Sequence, residues 1–188
     1  IKNFQIFAQV HQGGRACKAI CGQNMILLLF LEKKSQSSDV CKVLQVIRNI
    51  IPILGNGSTA KLLSAVSPLY ISAELDMRLR IYDLLDDLVE YDASVLSVAK
   101  LLRKLNTTST LGWRDHDVIL DAYKIINTDF FRNCQVEHAL LILSHCVLDM
   151  SSEETTFVCS AQRSLLSYVD FSALMLLQEG SSEQELSV

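Results

Sequence analysis

The chain has 188 residues, of which 49% are hydrophobic, with only two prolines and seven glycines. This composition excludes a largely disordered or low-complexity chain, and the length suffices for one domain with a sizeable core. Seventeen basic against 21 acidic residues give a formal charge of −4, which argues against a stand-alone nucleic-acid binder, because such proteins carry a basic patch or a high pI.

The first predicted helices lie before residue 40. Ile1 to Val10 carries a short apolar helical stripe, and Arg15 to Lys34 predicts a longer helix that ends on lysines, which favour the negative end of the helix dipole. The longest apolar run, Met25 to Leu31, is far shorter than the ~20 residues of a membrane span, so we expect no membrane segment. Ile1 is not a usual native start, and we expect an internal fragment of a longer protein.

Residues 40–105 predict two successive helical hairpins that share the same spacing of apolar residues. The helix predicted over Asp39 to Leu54 carries a stripe at i, i+3, i+4, i+7 and i+8, and the stripe returns 38 residues later in the helix predicted over Ala73 to Glu90. A second apolar helix follows each stripe, the later one over Ser94 to Leu105. The two stripes are Val43, Val46, Ile47, Ile50 and Ile51, and then Ile81, Leu84, Leu85, Leu88 and Val89.

Caps and prolines set the predicted boundaries of the first hairpin. Pro52 removes a backbone donor and is predicted to bend or end the first helix, and Pro68 is predicted to interrupt the second. Ser58 or Thr59 is the predicted cap of that second helix.

The second half of the chain continues the pattern in a weaker form. Asn106 to Trp113 is predicted as a loop, in which we favour a Trp113 that folds back on the adjacent helix over one that serves as a surface anchor. A partner helix is predicted over Glu137 to Met150, and a last helix, capped near Ser151 or Ser152, to Leu177. The third stripe is Ile119, Ala122, Tyr123 and Ile126, with Asn127 at its fifth position; the predicted inward residues of the partner helix are Ala139, Leu140, Leu143, Cys146 and Val147.

These elements predict an all-α fold. A two-helix repeat of about 40 residues is typical of HEAT and armadillo units, which bury their apolar faces by stacking on neighbours. We therefore predict a HEAT/armadillo-like α-solenoid of about four stacked antiparallel hairpins over residues 1–178, cut from a longer array. Residues 179–188 are predicted to be a disordered tail.

One charged face is the predicted partner-binding site. Asp83, Asp86, Asp87 and Glu90 share one side of the predicted second-hairpin helix. Without further ligands from other helices, they are interpreted as a solvated outer face or a patch that meets a basic partner. A basic edge leaves local phosphate contact open; it consists of Arg78, Arg80, Lys100, Arg103 and Lys104.

No catalytic, cofactor-binding or metal site is predicted. His138 and His145 lie two turns apart, and with Cys146 they could suggest a base and a nucleophile. Neighbouring helix positions diverge by about 100°, however, so surface or groove histidines are favoured. The six cysteines are expected to be reduced and buried. Gly55-Asn56-Gly57-Ser58 lacks the strand and lysine of a phosphate loop, and is predicted to be a turn.

Several segments between residues 40 and 170 resemble those of one known family. They are Ile50-Ile51-Pro52-Ile53-Leu54-Gly55-Asn56-Gly57-Ser58-Thr59, Ala65-Val66-Ser67-Pro68-Leu69, Asp76-Met77-Arg78-Leu79, Asp83-Leu84-Leu85-Asp86, Ser94-Val95-Leu96, Glu137-His138-Ala139-Leu140, Leu143-Ser144-His145-Cys146 and Asp149-Met150-Ser151-Ser152-Glu153-Glu154. The family that they resemble is that of small-subunit processome component 20, whose members are very large nucleolar HEAT-repeat proteins that wrap the pre-ribosomal particle during 18S rRNA maturation. The resemblance carries over no site residues, because the family has no catalytic motif to match.

The resemblance implies a structural segment, not an enzyme, in the nucleus and nucleolus. Its implied partners are ribosome-assembly proteins and pre-ribosomal RNA, with no small-molecule substrate. Two alternatives stay open. One is another HEAT or armadillo adaptor, such as a transport receptor or a phosphatase scaffold. The other is a helical-bundle enzyme that uses His138, His145 and the cysteines.

Overall fold

The structure is a computed structural model that describes residues 37–53, 58–110 and 112–185. Within these ranges it contains α-helices and short 3₁₀ segments but no β-strand, which confirms the all-α prediction. The helices predicted over Ile1 to Val10 and Arg15 to Lys34 lie outside the described residues. The described α-helices are α1 (Ser37–Ile50), α2 (Ser58–Val66), α3 (Leu75–Tyr91), α4 (Leu96–Leu105), α5 (His116–Ile125), α6 (Thr128–Asn133), α7 (Val136–Asp149) and α8 (Thr155–Glu185).

The two prolines end their helices as predicted. Pro52 lies in the 3₁₀ segment Ile51–Ile53 directly after α1, and Pro68 lies in the segment Ser67–Ser72 directly after α2. A proline ring supplies no N–H for the helical ladder, so the chain tightens into 3₁₀ turns at both points.

Helix α6 was not predicted, and it explains where the third apolar stripe stops. The side chain of Asn127 accepts a hydrogen bond of 3.0 Å from the backbone N–H of Phe130, which is a standard N-cap. Asn127 therefore begins a new helix where the stripe required an apolar residue. The short helix buries Phe131 in the core.

Helix α8 is longer than predicted. Its backbone continues beyond Leu177 to Glu185, so that most of the predicted tail at 179–188 extends the helix; residues 186–188 lie outside the described residues. No helix in the described ranges is long and apolar enough to cross a membrane.

The described members of the predicted apolar stripes form the core, except Val46, which is exposed, and Val89, which is only partly buried against it. Val46 on α1 is 59% exposed, although its neighbours on the stripe, Ile47 and Ile51, are buried. The side chains of Val43 and Ile50 are not described. The buried members in α3 and beyond are Ile81, Leu84, Leu85, Leu88, Ile119, Ala122, Tyr123 and Ile126.

Helix α7 occupies the centre of the packing. It contacts α2, the 3₁₀ segment Ser67–Ser72, α4 and α8, and it is buried nearly all round, including Leu141, Ile142 and Cys146. The remaining helices form a row in which α1 packs on α3, α3 on α4, and α4 on α5. Helices α3 and α4 thus pair as predicted, but α2 reaches across the sequence to α7, and a regular stack of successive hairpins is not confirmed.

Two leucines of α3 provide a matched test of this core. Leu84 is fully buried, whereas Leu79 on the same helix is 50% exposed. We expect Leu84→Ala to lower the free energy of unfolding by about 2–5 kcal/mol, because it removes buried methyl groups and leaves a cavity. Leu79→Ala should change it by less than about 0.5 kcal/mol. Urea denaturation of both variants measures the difference, and equal effects would show that α3 faces the core differently.

Candidate functional site

The predicted acidic face lies on the outer side of α3. Asp83, Asp86, Asp87 and Glu90 follow the i, i+3, i+4, i+7 spacing of one helix face, while Leu84 on the opposite face is buried. Three of the four acidic side chains are exposed, and that of Asp87 is half-buried. The structure therefore brings the four carboxylates together at the surface.

Ion pairs to two neighbouring helices neutralise part of this face. Arg48 on α1 donates from Nε to Asp87 Oδ2 at 2.5 Å and from Nη1 to Asp83 Oδ2 at 3.2 Å. The hydrogen bond to Asp87 raises the pKa of Arg48 above its ordinary value. Arg103 on α4 forms a further ion pair with Asp86. Such exposed pairs contribute only about 0–1 kcal/mol each, but they fix α1 and α4 against α3.

Glu90 is the unpaired member of the face. It is exposed, and no ion pair joins it to another described residue. The interpretation of the face as purely solvated is therefore too simple, since two arginines reduce its formal charge from four carboxylates to a net −2. Glu90 and the outer oxygens of Asp83 and Asp86 are the part left for a partner.

The predicted basic edge separates into two groups. Arg78 is half-buried, with its Nε enclosed and lacking a hydrogen-bond partner, and Arg103 is committed to Asp86 with its guanidinium 5.9 Å from the ring centre of Tyr82. The other exposed cations of the edge are Arg80, Lys100 and Lys104.

The surface or groove position predicted for the two histidines of α7 is wrong. His138 is 4% exposed and His145 is completely buried, because α7 is covered by other helices on several sides. Cys146 is also completely buried, and burial raises the pKa of its thiol well above the ordinary value. A buried, protonated thiol is a poor nucleophile.

The other described cysteines are free thiols in different surroundings. Cys134 is half-buried, and burial raises its pKa to about 11. Cys159 is exposed, contrary to the prediction that the cysteines are buried. Within the described ranges, no three His, Cys, Asp or Glu side chains cluster in a way that could hold a metal ion.

A buried carboxylate, Asp149, organises the polar interior at the end of α7. Arg114 binds it through two parallel hydrogen bonds, Nη1 to Oδ1 at 2.8 Å and Nη2 to Oδ2 at 2.9 Å, and the Tyr123 hydroxyl donates to Oδ2 at 2.7 Å. Arg114 also donates to the Leu105 carbonyl at 3.0 Å and lies 4.3 Å from the ring centre of Phe157. These contacts connect the ends of α4 and α7 with α5 and with the start of α8.

The charge state of Asp149 follows from competing effects. Burial alone would raise the pKa of Asp149, but the proximity of His145 and the hydrogen bonds from Arg114 outweigh it and hold the pKa well below the ordinary value. Burial beside this carboxylate raises the pKa of Tyr123. Asp149 is therefore ionised and Tyr123 neutral, so the tyrosine hydroxyl keeps the proton that it donates.

His145 lies next to this carboxylate inside the core. Its Nδ1 is 3.5 Å from the Asn106 amide nitrogen, which suits a neutral ring whose proton is on Nε2. Nε2 is 3.4 Å from Asp149 Oδ2 but does not have hydrogen-bond geometry. Burial lowers the pKa of His145. Sequence spacing did not reveal this cluster, because its members are divided among α5, α7 and the loop between α4 and α5.

The loop between α4 and α5 presents Trp113 to solvent. The indole is 76% exposed, so the prediction that it folds back on the adjacent helix is wrong. The backbone explains the outward position: Ser109 N–H donates to the Trp113 carbonyl at 2.6 Å, and Gly112 N–H donates to the Ser109 carbonyl at 2.9 Å. Gly112 has a φ of 81°, a conformation that glycine adopts without strain.

The family model described as U3 small nucleolar RNA-associated protein 20, N-terminal, matches residues 14–185 of the chain. Neither the curated proteins nor the solved structures yielded a match.

The buried histidines predict a pH dependence of stability. Burial lowers the pKa of both His145 and His138 below the ordinary value of 6.5. Below that pH the unfolded chain binds protons that the folded chain does not. The free energy of unfolding therefore decreases as the pH is lowered. We expect the urea midpoint to decrease between about pH 7.5 and about pH 5.5. His145→Gln should reduce the slope, and a midpoint independent of pH in the unsubstituted chain would contradict the argument.

Proposed function

The chain belongs to the U3 small nucleolar RNA-associated protein 20, N-terminal family, and on that premise we propose that it is a structural scaffold segment in small-subunit ribosome biogenesis. The match over residues 14–185 is the observation that carries this proposal, because it spans nearly the whole sequence. It agrees with the resemblance found in the sequence, and it favours the processome over transport receptors and phosphatase scaffolds.

The proposed mechanism is presentation of helix surfaces to partners within a large particle. It is supported by the way the described residues are used: the histidines and Cys146 of α7 are enclosed in the core, and the acidic face is exposed on α3. We propose ribosome-assembly proteins and pre-ribosomal RNA as partners, and the nucleolus as the location. For an acidic face, basic proteins are the complementary partners.

A HEAT/armadillo-like array remains part of the proposal. It is supported by the 38-residue spacing of the apolar stripes and by the packed pair of α3 and α4. Because α2 packs on α7, the proposed array is irregular in this segment.

The acidic face is proposed as a contact for a basic protein region. Asp83 and Asp86 are paired with arginines, and Glu90 is unpaired, so Asp83→Asn/Asp86→Asn/Glu90→Gln removes three charges while keeping similar side-chain shapes. Asp87, which has the closest contact with Arg48, is retained. We expect the tagged variant to associate roughly fivefold less with precursor particles, equivalent to about 1 kcal/mol, measured by co-sedimentation with pre-18S RNA.

A matched control removes three exposed carboxylates elsewhere. Asp121 pairs with Lys124 and Asp129 with Arg132, and Asp170 is exposed on α8. Asp121→Asn/Asp129→Asn/Asp170→Asn therefore changes the same total charge and should associate as the unsubstituted chain does. Equal association of all three chains would refute the acidic face as a contact, and absence of the unsubstituted chain from these particles would refute the proposed function.

A further inference from the structure

Hydrogen bonds hold the loop that carries Trp113, and the indole of this residue faces solvent. The sequence contains a single tryptophan, and most of its surface is exposed. Besides the two hydrogen bonds at the turn, Asp115 N–H donates to the Thr107 carbonyl at 2.8 Å, and Thr108 and Arg114 form an isolated β-bridge. The bidentate contact of Arg114 with Asp149 anchors the loop to the core. A loop that is already held in place has little backbone entropy to lose when a partner binds.

The connection between α7 and α8 lies beside this loop. His116 Nε2 is 2.8 Å from Thr156 Oγ1, and Arg114 contacts Phe157 at the start of α8. The connection adds a partly exposed Met150 to the surface, together with the carboxylates of Glu153 and Glu154.

The loop that carries Trp113 and the connection between α7 and α8 are predominantly negative in charge. Residues 106–117 and 149–157 contain five carboxylates and one arginine, Arg114. That arginine is already paired with the buried Asp149. The exposed carboxylates of these two segments are those of Asp117, Glu153 and Glu154. Repulsion of phosphates by these groups disfavours a nucleic acid, although an exposed tryptophan alone would suit base stacking.

We propose that Trp113, Met150, Asp117, Glu153 and Glu154 form a docking surface, the Trp113 surface, for an arginine- or lysine-rich protein segment. A guanidinium or ammonium group of the partner stacks on the indole face, an attraction that reaches about 0.5–2 kcal/mol, and the three carboxylates bind neighbouring cations. Tryptophan is also among the residues that dominate binding energy at protein interfaces. The Trp113 surface lies on different structural elements from the acidic face. Its biological role rests on the proposed scaffold function.

Binding of labelled deca-arginine and deca-lysine to the 188-residue chain tests this assignment. We expect Trp113→Ala to weaken binding roughly fivefold in fluorescence anisotropy, and Asp117→Asn/Glu153→Gln/Glu154→Gln to weaken it by at least as much. Because Trp113 is the single tryptophan, its emission should change as the unlabelled peptide saturates the chain. An exposed side chain can be replaced without loss of the fold, which circular dichroism verifies.

The control is the acidic-face variant Asp83→Asn/Asp86→Asn/Glu90→Gln, which also loses three charges. The assignment is supported if this control variant loses less peptide binding than the variants of the Trp113 surface do. Unchanged binding of Trp113→Ala, or equal losses in both triple variants, overturns it while leaving the proposed scaffold function intact.

Two further outcomes identify other occupants. Tighter binding of single-stranded oligouridine than of the peptides, lost on Trp113→Ala, would overturn the protein assignment in favour of RNA. Protection of Trp113 from quenching by the neutral quencher acrylamide in the free chain would show that another part of the chain covers the indole, which also overturns the proposal.

Discussion

The bidentate pair of Arg114 and Asp149 is the constraint on which the second half of this chain depends. Burying a carboxylate is unfavourable unless its oxygens are satisfied, and here Arg114 and Tyr123 satisfy them. The arginine, in turn, caps the end of α4 through the Leu105 carbonyl. Helices α4, α5, α7 and α8 are thereby held together at one point, and Trp113, next to Arg114 in the chain, is exposed.

Local sequence patterns predicted the helices, the proline interruptions and most of the apolar core, because each depends on residues within a few turns of one another. They did not predict the surroundings of α7. The environment of His145 is set by Tyr70, Asn106 and Tyr123, which lie far away in the sequence, and no spacing rule connects them. Val46 illustrates the same limit at the surface: it has the right period but is exposed.

The candidate site was predictable in its composition but not in its role. The i, i+4 spacing correctly placed the four acidic residues on one face of α3. What it could not reveal is that Arg48 and Arg103 come from two other helices to bind three of them. The same carboxylates thus serve internal packing and remain at the surface, so their availability to a partner is smaller than their number indicates. Trp113 shows the reverse case, since a residue type that usually favours the interior is exposed by its turn.

The contact between α2 and α7 has a consequence for how the segment folds. In a regular repeat array each unit touches only its sequence neighbours, so folding can begin anywhere and spread unit by unit. Here the central helix completes its burial only when a helix some 70 residues earlier has docked. Closing so long a loop raises the contact order and slows folding, and it links the two halves into one cooperative unit. During synthesis, α2 and the segment Ser67–Ser72 must therefore wait for α7 to emerge before either is fully covered.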